Sequence, residues 1–128
     1  MVRLARMNAA LLEDEDHRRR KSIEDLEARM RAWLAGEYTA VLFDLGAEPI
    51  AYALFRADED ESIFLRQFFV ARELRRSGLG RRAFELLRRD VLPAGARIVI
   101  EVLVGNATAI SFWRAMGFTE YAATFELR

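Results

Sequence analysis

Between a run of β-forming residues and an amphipathic helical pattern stand Val70, Ala71, Arg72, Glu73, Leu74, Arg75, Arg76, Ser77, Gly78, Leu79 and Gly80. Glycines at 78 and 80 let backbone approach a ligand closely. Successive N–H groups at a helix start form a concave anion site, reinforced by the helix dipole. Phosphate suits such a nest, and Arg75, Arg76, Arg81 and Arg82 flank it with charge that a polyphosphate would engage. A tight turn carrying solvated arginines has the same composition, and a lone Gly-x-Gly does not separate the two. The P-loop is excluded because no Lys follows Gly80. Gly78 to Ala83 satisfies the dinucleotide pattern GxGxxG/A, with Glu101 about 20 residues on as the ribose-binding acid. Against that reading, an antiparallel meander precedes the turn, and no length remains for a doubly wound sheet.

Other chemistries are narrowed by what the chain lacks. It has no cysteine and a single histidine, His17, so a disulfide scaffold, a thiolate nucleophile and a histidine or thiolate metal site are all excluded. Twenty basic residues balance twenty acidic ones, leaving no field to recruit nucleic acid. Residues 1–64 are acidic, with nine basic and fourteen acidic side chains, whereas residues 65–128 carry eleven and six. Apolar runs are too short for a membrane span, and Arg3 and Arg6 are not those of a secretion signal, so a cytoplasmic location is expected. At 128 residues with 52% hydrophobic content, one domain over 1–128 is expected.

The elements that must position these groups follow from periodicity. Leu4, Met7 and Leu11 recur at helical spacing within residues 2–16. Ser22 followed by Asp25 three residues on opens a second helix with the apolar face Ile23, Leu26, Met30, Trp33 and Leu34, ended by Gly36. Residues 38–45 and 50–55 read as a β-hairpin around Gly46 to Pro49. After the acidic turn Asp58 to Glu61, residues 63–70 add a third strand. Ala83, Phe84, Leu87 and Val91 mark a helix stopped by Pro93 and Gly95. The apolar run 98–104 is a buried strand, and 107–116 a last helix ended by Gly117. Residues 118–127 suffice for one terminal strand or two short ones.

With these elements placed, the sequence resembles the GNAT superfamily of acetyl-coenzyme A dependent N-acetyltransferases. Val70, Arg75, Gly78 and Gly80 match its cofactor loop in spacing, with a strand before and a helix after. Ile100, Glu101, Val102, Asn106, Ala109, Phe112, Trp113, Met116, Gly117 and Phe118 match its second motif. The resemblance covers roughly residues 22–128 and implies an α/β (α+β) fold: a mixed, mostly antiparallel twisted sheet flanked by helices. The family's first strand is expected to be missing, since little more than Met1 precedes the helical pattern. It further implies acetyl-CoA as cofactor. Backbone groups of Phe68, Phe69 and Val70 would line its pantetheine arm, amides of Arg75, Arg76, Ser77, Gly78, Leu79, Gly80 and Arg81 would hold its pyrophosphate, and Asn106 and Trp113 would complete the cofactor contacts. Asn106 is equally suited to cap the helix at Ala107. Phe112 and Phe118 are expected in the core.

The implied reaction is acetyl transfer to a primary amine of a small molecule or peptide. Presenting an amine of pKa near ~10.4 as the free base at pH 7 costs about 4.6 kcal/mol, so a base is the larger need. In one branch of the family a Glu twelve residues before the usual acid Tyr is that base. Glu101 stands twelve before Trp113, which replaces the Tyr, and a strand carboxylate facing solvent is the plain alternative. A coenzyme thiol, near the ~8.5 reference for Cys, leaves without a strong acid, and Tyr121 is the candidate substitute. Acidic stretches such as Asp58 to Glu61 favour a cationic acceptor. The alternative to an enzyme is a non-catalytic acyl-CoA-binding module. An uncovered sheet edge where the first strand is missing suggests a homodimer.

Overall fold

The computed structural model describes residues 4, 6–7, 23–71 and 77–128. Leu4, Arg6 and Met7 have helical backbone, and Leu4 is buried. The rest of the first helical pattern, the Ser22 cap and Arg72 to Arg76 lie outside the described residues.

Helix α1 (Ile23–Ala35) carries Glu24 and Asp25 in its first turn, where carboxylates suit the positive end of the helix dipole. Leu26 and Met30, four residues apart on one stripe, are almost entirely buried. Three strands then form an antiparallel meander: β1 (Thr39–Leu45), β2 (Glu48–Ala57) and β3 (Ile63–Val70). The turn between β1 and β2 uses Gly46 at φ 64°, a conformation that needs no Cβ. Helix α2 (Leu79–Leu86) continues through a wider turn, Leu87–Val91, closed by the Leu92 N–H donating to the Leu87 carbonyl at 2.9 Å. It returns the chain to β4 (Ile98–Ile100), which pairs with β3 in parallel. Helix α3 (Ala107–Ala115) follows. The sheet order is β1-β2-β3-β4. Among the described residues no strand precedes α1.

The two sheet faces have separate cores. On one, Ala53, Ile63 and Leu65 meet Phe84 and Leu87 of the α2 segment and Trp113 of α3. On the other, Tyr52, Leu54 and Phe69 pack against Met30 of α1 and Leu4. Phe68 is the hub of the first, its ring 5.5 Å from Trp113 and 6.2 Å from both Phe84 and Phe112, separations at which aromatic pairs add to simple burial. Phe112 and Phe118 pack against this core, as their pattern implied.

Two expectations are corrected. The strand expected over 98–104 ends at Ile100, because its neighbour β3 turns away beyond that point and leaves residues 101–104 without a ladder. Residues 118–127 form no strand in the chain, and Tyr121, Phe125 and Leu127 are exposed.

Candidate functional site

A bulge in β3 creates the site. Leu54 of β2 opposes Gln67, while the next residue, Phe55, opposes Leu65, so Arg66 is a surplus residue on β3. At the same level the parallel ladder to β4 stops, its last pair being Leu65 and Ile100. From Arg66 to Val70, a length of about 13 Å at strand rise, β3 stays paired to β2 but parts from β4. Two hydrogen bonds fix which peptide groups face the opening. The Ile63 N–H donates to the Arg97 carbonyl at 2.8 Å, toward β4, and the Ala71 N–H donates to the Ile50 carbonyl at 2.7 Å, toward β2. Counting by twos back from Ala71, Phe69 and Gln67 turn their peptide groups to β2, and Phe68 and Val70 turn theirs to the splay. Of the three residues expected to line a pantetheine arm with backbone, Phe68 and Val70 are oriented for it. Phe69 is not, because its backbone completes the β2 ladder and its side chain is in the α1 core.

The splay runs up to the start of α2. Gly78, the N-cap, has φ 83°, and among the described residues no side chain caps the helix. The first intrahelical bond, from the Arg82 N–H to the Gly78 carbonyl at 3.1 Å, leaves the N–H groups of Leu79, Gly80 and Arg81 ahead of it, and no acid stands in the first turn. The two glycines serve different ends. A Cβ on Gly78 would meet nothing within 4 Å, so this position is glycine for its dihedral. A Cβ on Gly80 would stand 3.2 Å from Phe112 Cε1 and 3.5 Å from Val70 Cγ2. The absent side chain is therefore what lets α2 seat against the end of β3.

Asn106 caps α3: its Oδ1 accepts from the Ala109 N–H at 3.1 Å, and its amide nitrogen takes no partner among the described residues. Glu101 follows the last paired residue of β4. Ile100 and Val102 on either side pack into the α2/α3 core, so Glu101 projects to the α1 face, where it is exposed. Trp113 is buried among Phe68, Phe84, Phe112 and Phe118, which makes it a core residue rather than a wall of the opening. Tyr121 stands under the Arg97 guanidinium, 4.7 Å from its ring centre, at the far end of β4. Four strand steps, about 13 Å, separate Arg97 from Glu101, so the structure does not bring Tyr121 and Glu101 together.

Two groups escaped the sequence reading. Arg66 stands one residue past Leu65 as Glu101 stands one past Ile100, both on the α1 face; its guanidinium lies 4.9 Å from the Trp33 ring centre and donates to Tyr38 Oη at 3.2 Å. Gln67 Oε1 accepts from the buried Tyr52 hydroxyl at 2.8 Å, which fixes the amide on the α1 face of the sheet. A surplus residue leaves no mark on the apolar pattern of β3, so neither could be placed beforehand. The acidic turn 58–61, expected near an acceptor, instead lines a cavity of about 550 Å³ with Pro93 to Arg97 at the opposite end of β3 and β4. There Ser62 hydrogen-bonds hold the Asp60 carboxyl below the usual carboxylate range, with Arg97 adding to the effect. No group of three or more metal-ligating side chains occurs among the described residues, and no helix among them is long and apolar enough to cross a membrane.

Comparison with known proteins bears on this geometry. The sequence model of the acetyltransferase (GNAT) family matches residues 7–118. The fold is similar to that of a possible acetyltransferase from Clostridium difficile 630, with TM-score 0.71 and 17% identity over 98% of this chain and 88% of the other. An aminoglycoside N-acetyltransferase in complex with CoA gives 0.74 and 15% over 98% and 85%. The ribosomal-protein-S18-alanine N-acetyltransferase from Escherichia coli gives 0.68 and 22% over 93% and 72%. Among curated proteins no sequence match is found.

Proposed function

Because the chain belongs to the acetyltransferase (GNAT) family, we propose that it transfers an acetyl group from acetyl-CoA to a primary amine of a small molecule or peptide, as one cytoplasmic domain over residues 1–128. The observation that carries the reading is the parting of β3 from β4 beside an uncapped helix start. Two structural neighbours are named for amines, one on an aminoglycoside and one on an alanine of a ribosomal protein.

The residues present suit the coenzyme. Leu79, Gly80 and Arg81 offer N–H groups at the positive end of α2, Gly78 is open to its surroundings, and no acid stands in the first turn of the helix. Arg75, Arg76 and Ser77 are assigned to the same anion from the loop pattern. The coenzyme supplies a thioester-activated acetyl group. The peptide groups of Phe68 and Val70 would line its arm, and the amide nitrogen of Asn106 would donate to it while Oδ1 caps the helix. Glu101, on the face away from α2, takes the ammonium proton onto its carboxylate and leaves the amine lone pair free. Gln67, whose Oε1 accepts from the Tyr52 hydroxyl, is a fixed amide that can hold the acceptor. Tyr121 has no part in this scheme, and thiol departure proceeds without a phenol.

A non-catalytic acyl-CoA-binding module is the second reading. The burial of Trp113, where a phenolic acid would be useful, favours it. Titration calorimetry with acetyl-CoA, followed by thiol release across a panel of amines, decides. Binding with amine-dependent release is expected, binding without release for any amine favours the second reading, and no binding ends both.

A further inference from the structure

We propose that Arg66 selects the amine taken up at this site: that amine carries a carboxylate a short chain away, and the Arg66 guanidinium binds it. The proposal deepens the acetyltransferase reading and rests on it. On the α1 face of the sheet, arginines gather around aromatic rings. The Trp33 ring centre lies 4.6 Å from the Arg29 guanidinium and 4.9 Å from that of Arg66. Arg56 stands 4.7 Å from the Phe64 ring centre and 5.4 Å from that of Tyr38. An aromatic face attracts a cation without cancelling its charge. Carboxylates cancel it, and here they are unevenly placed. Asp58 accepts from Arg56 Nε at 2.8 Å and so neutralises that side chain. No carboxylate among the described residues forms an ion pair with Arg66, which donates instead to the neutral Tyr38 hydroxyl at 3.2 Å.

Position makes this charge part of the site. Arg66 stands one residue past Leu65 and Glu101 one past Ile100, at the level where β3 and β4 part. At that last rung the two backbones are about 4.8 Å apart. The guanidinium leans toward Tyr38, which precedes β1, two strands away from β3, so it points away from β4 and forms no ion pair with Glu101. One molecule can engage both charges, its ammonium at Glu101 and its anion at Arg66, provided several bonds separate the two groups. Held by a ring and a phenol, the guanidinium loses little freedom on binding, and its planar fork of N–H groups matches a carboxylate. The acidic turn 58–61, expected to draw a cationic acceptor, lies at the opposite end of these strands.

The test uses ω-amino carboxylic acids of rising chain length and the same compounds as carboxamides. Each is assayed for thiol release from acetyl-CoA and, with CoA present, for binding by calorimetry. At one or more lengths the acid is expected to bind about tenfold or more tighter than its amide, and to react with a correspondingly lower KM. Arg66→Met is expected to erase that ratio. Arg66→Lys is expected to restore part of it, since Lys keeps the charge without the planar fork. The substituted side chain is exposed, and circular dichroism checks that both variants fold. Acids that bind no better than their amides at every length, or a preference that persists in Arg66→Met, would overturn the proposal. Acid-selective binding that depends on Arg66 but yields no thiol release would uphold it and count against acetyl transfer alone.

Discussion

The ring of Phe112 lies against the backbone of Gly80, so closely that a Cβ there would come to 3.2 Å of Cε1. Phe112 belongs to the aromatic cluster around Phe68, and the cluster thereby sets where α2 begins. Gly80→Ala should cost about 1–3 kcal/mol and weaken acetyl-CoA binding, because the ring must move and the helix start moves with it. Gly78→Ala should cost about 1–2 kcal/mol through its positive φ, with no steric contribution. Thermal melting and calorimetry on the pair check this; equal melting of Gly80→Ala and wild type would contradict the packing account.

Glu101→Gln removes the proposed proton acceptor without changing side-chain size. The turnover rate near neutral pH should fall by about 10²–10⁴-fold, and the loss should shrink as pH rises toward the amine's own value near ~10.4, where the free base needs no help. A pH profile of kcat/KM identical to wild type would remove Glu101 from the mechanism.

Restoring the family's usual phenol should fail. Trp113→Tyr puts a hydroxyl into a cluster of four phenylalanines, where an unsatisfied polar group costs about 1–3 kcal/mol in addition to lost packing. The melting temperature should drop with no gain in turnover. A faster enzyme of unchanged stability would show that position 113 reaches the reacting atoms.

Acid stability should depend on the turn at Asp60. Hydrogen bonds from Ser62, followed by the charge of Arg97, keep its carboxyl below the ordinary value of 3.8. The charged form is thus favoured by folding, so the stabilisation is complete above that value and disappears as pH falls through the lowered one. Asp60→Asn should lower the melting temperature slightly at neutrality, where the charged form's stabilisation is complete, and converge with wild type below about pH 4, flattening the dependence on pH. The group is exposed, so the effect is small, and a gap that persists undiminished in acid would point to another cause.

Most of the scaffold was legible because local chemistry specified it. Gly46 marked the hairpin, Leu26 and Met30 the buried stripe of α1, and Asn106 the start of α3, each through a preference expressed within a few residues. The length of β4 and the facing of Glu101 were not equally available. Ile98 to Val104 is apolar throughout, but a strand lasts only as long as its neighbour, and β3 departs at Arg66 for a reason written in pairing rather than in hydrophobicity. The stretch after Phe118 shows the converse, a strand's alternation in residues that form no ladder in the chain. The glycine loop was recognised by its spacing, although spacing could not tell that Gly78 is needed for its dihedral and Gly80 for Phe112.

Arg66 has a consequence for how this chain can change. Its side chain is exposed, so the fold should accept many letters at that position, yet the residue's presence is what lengthens β3 by one relative to β2. Removing it would let the two strands run in step and invite β4 to zip onward past Ile100, sealing the gap from within. For folding, position 66 should therefore be indifferent to spelling and intolerant of deletion, the reverse of what holds for a surface loop.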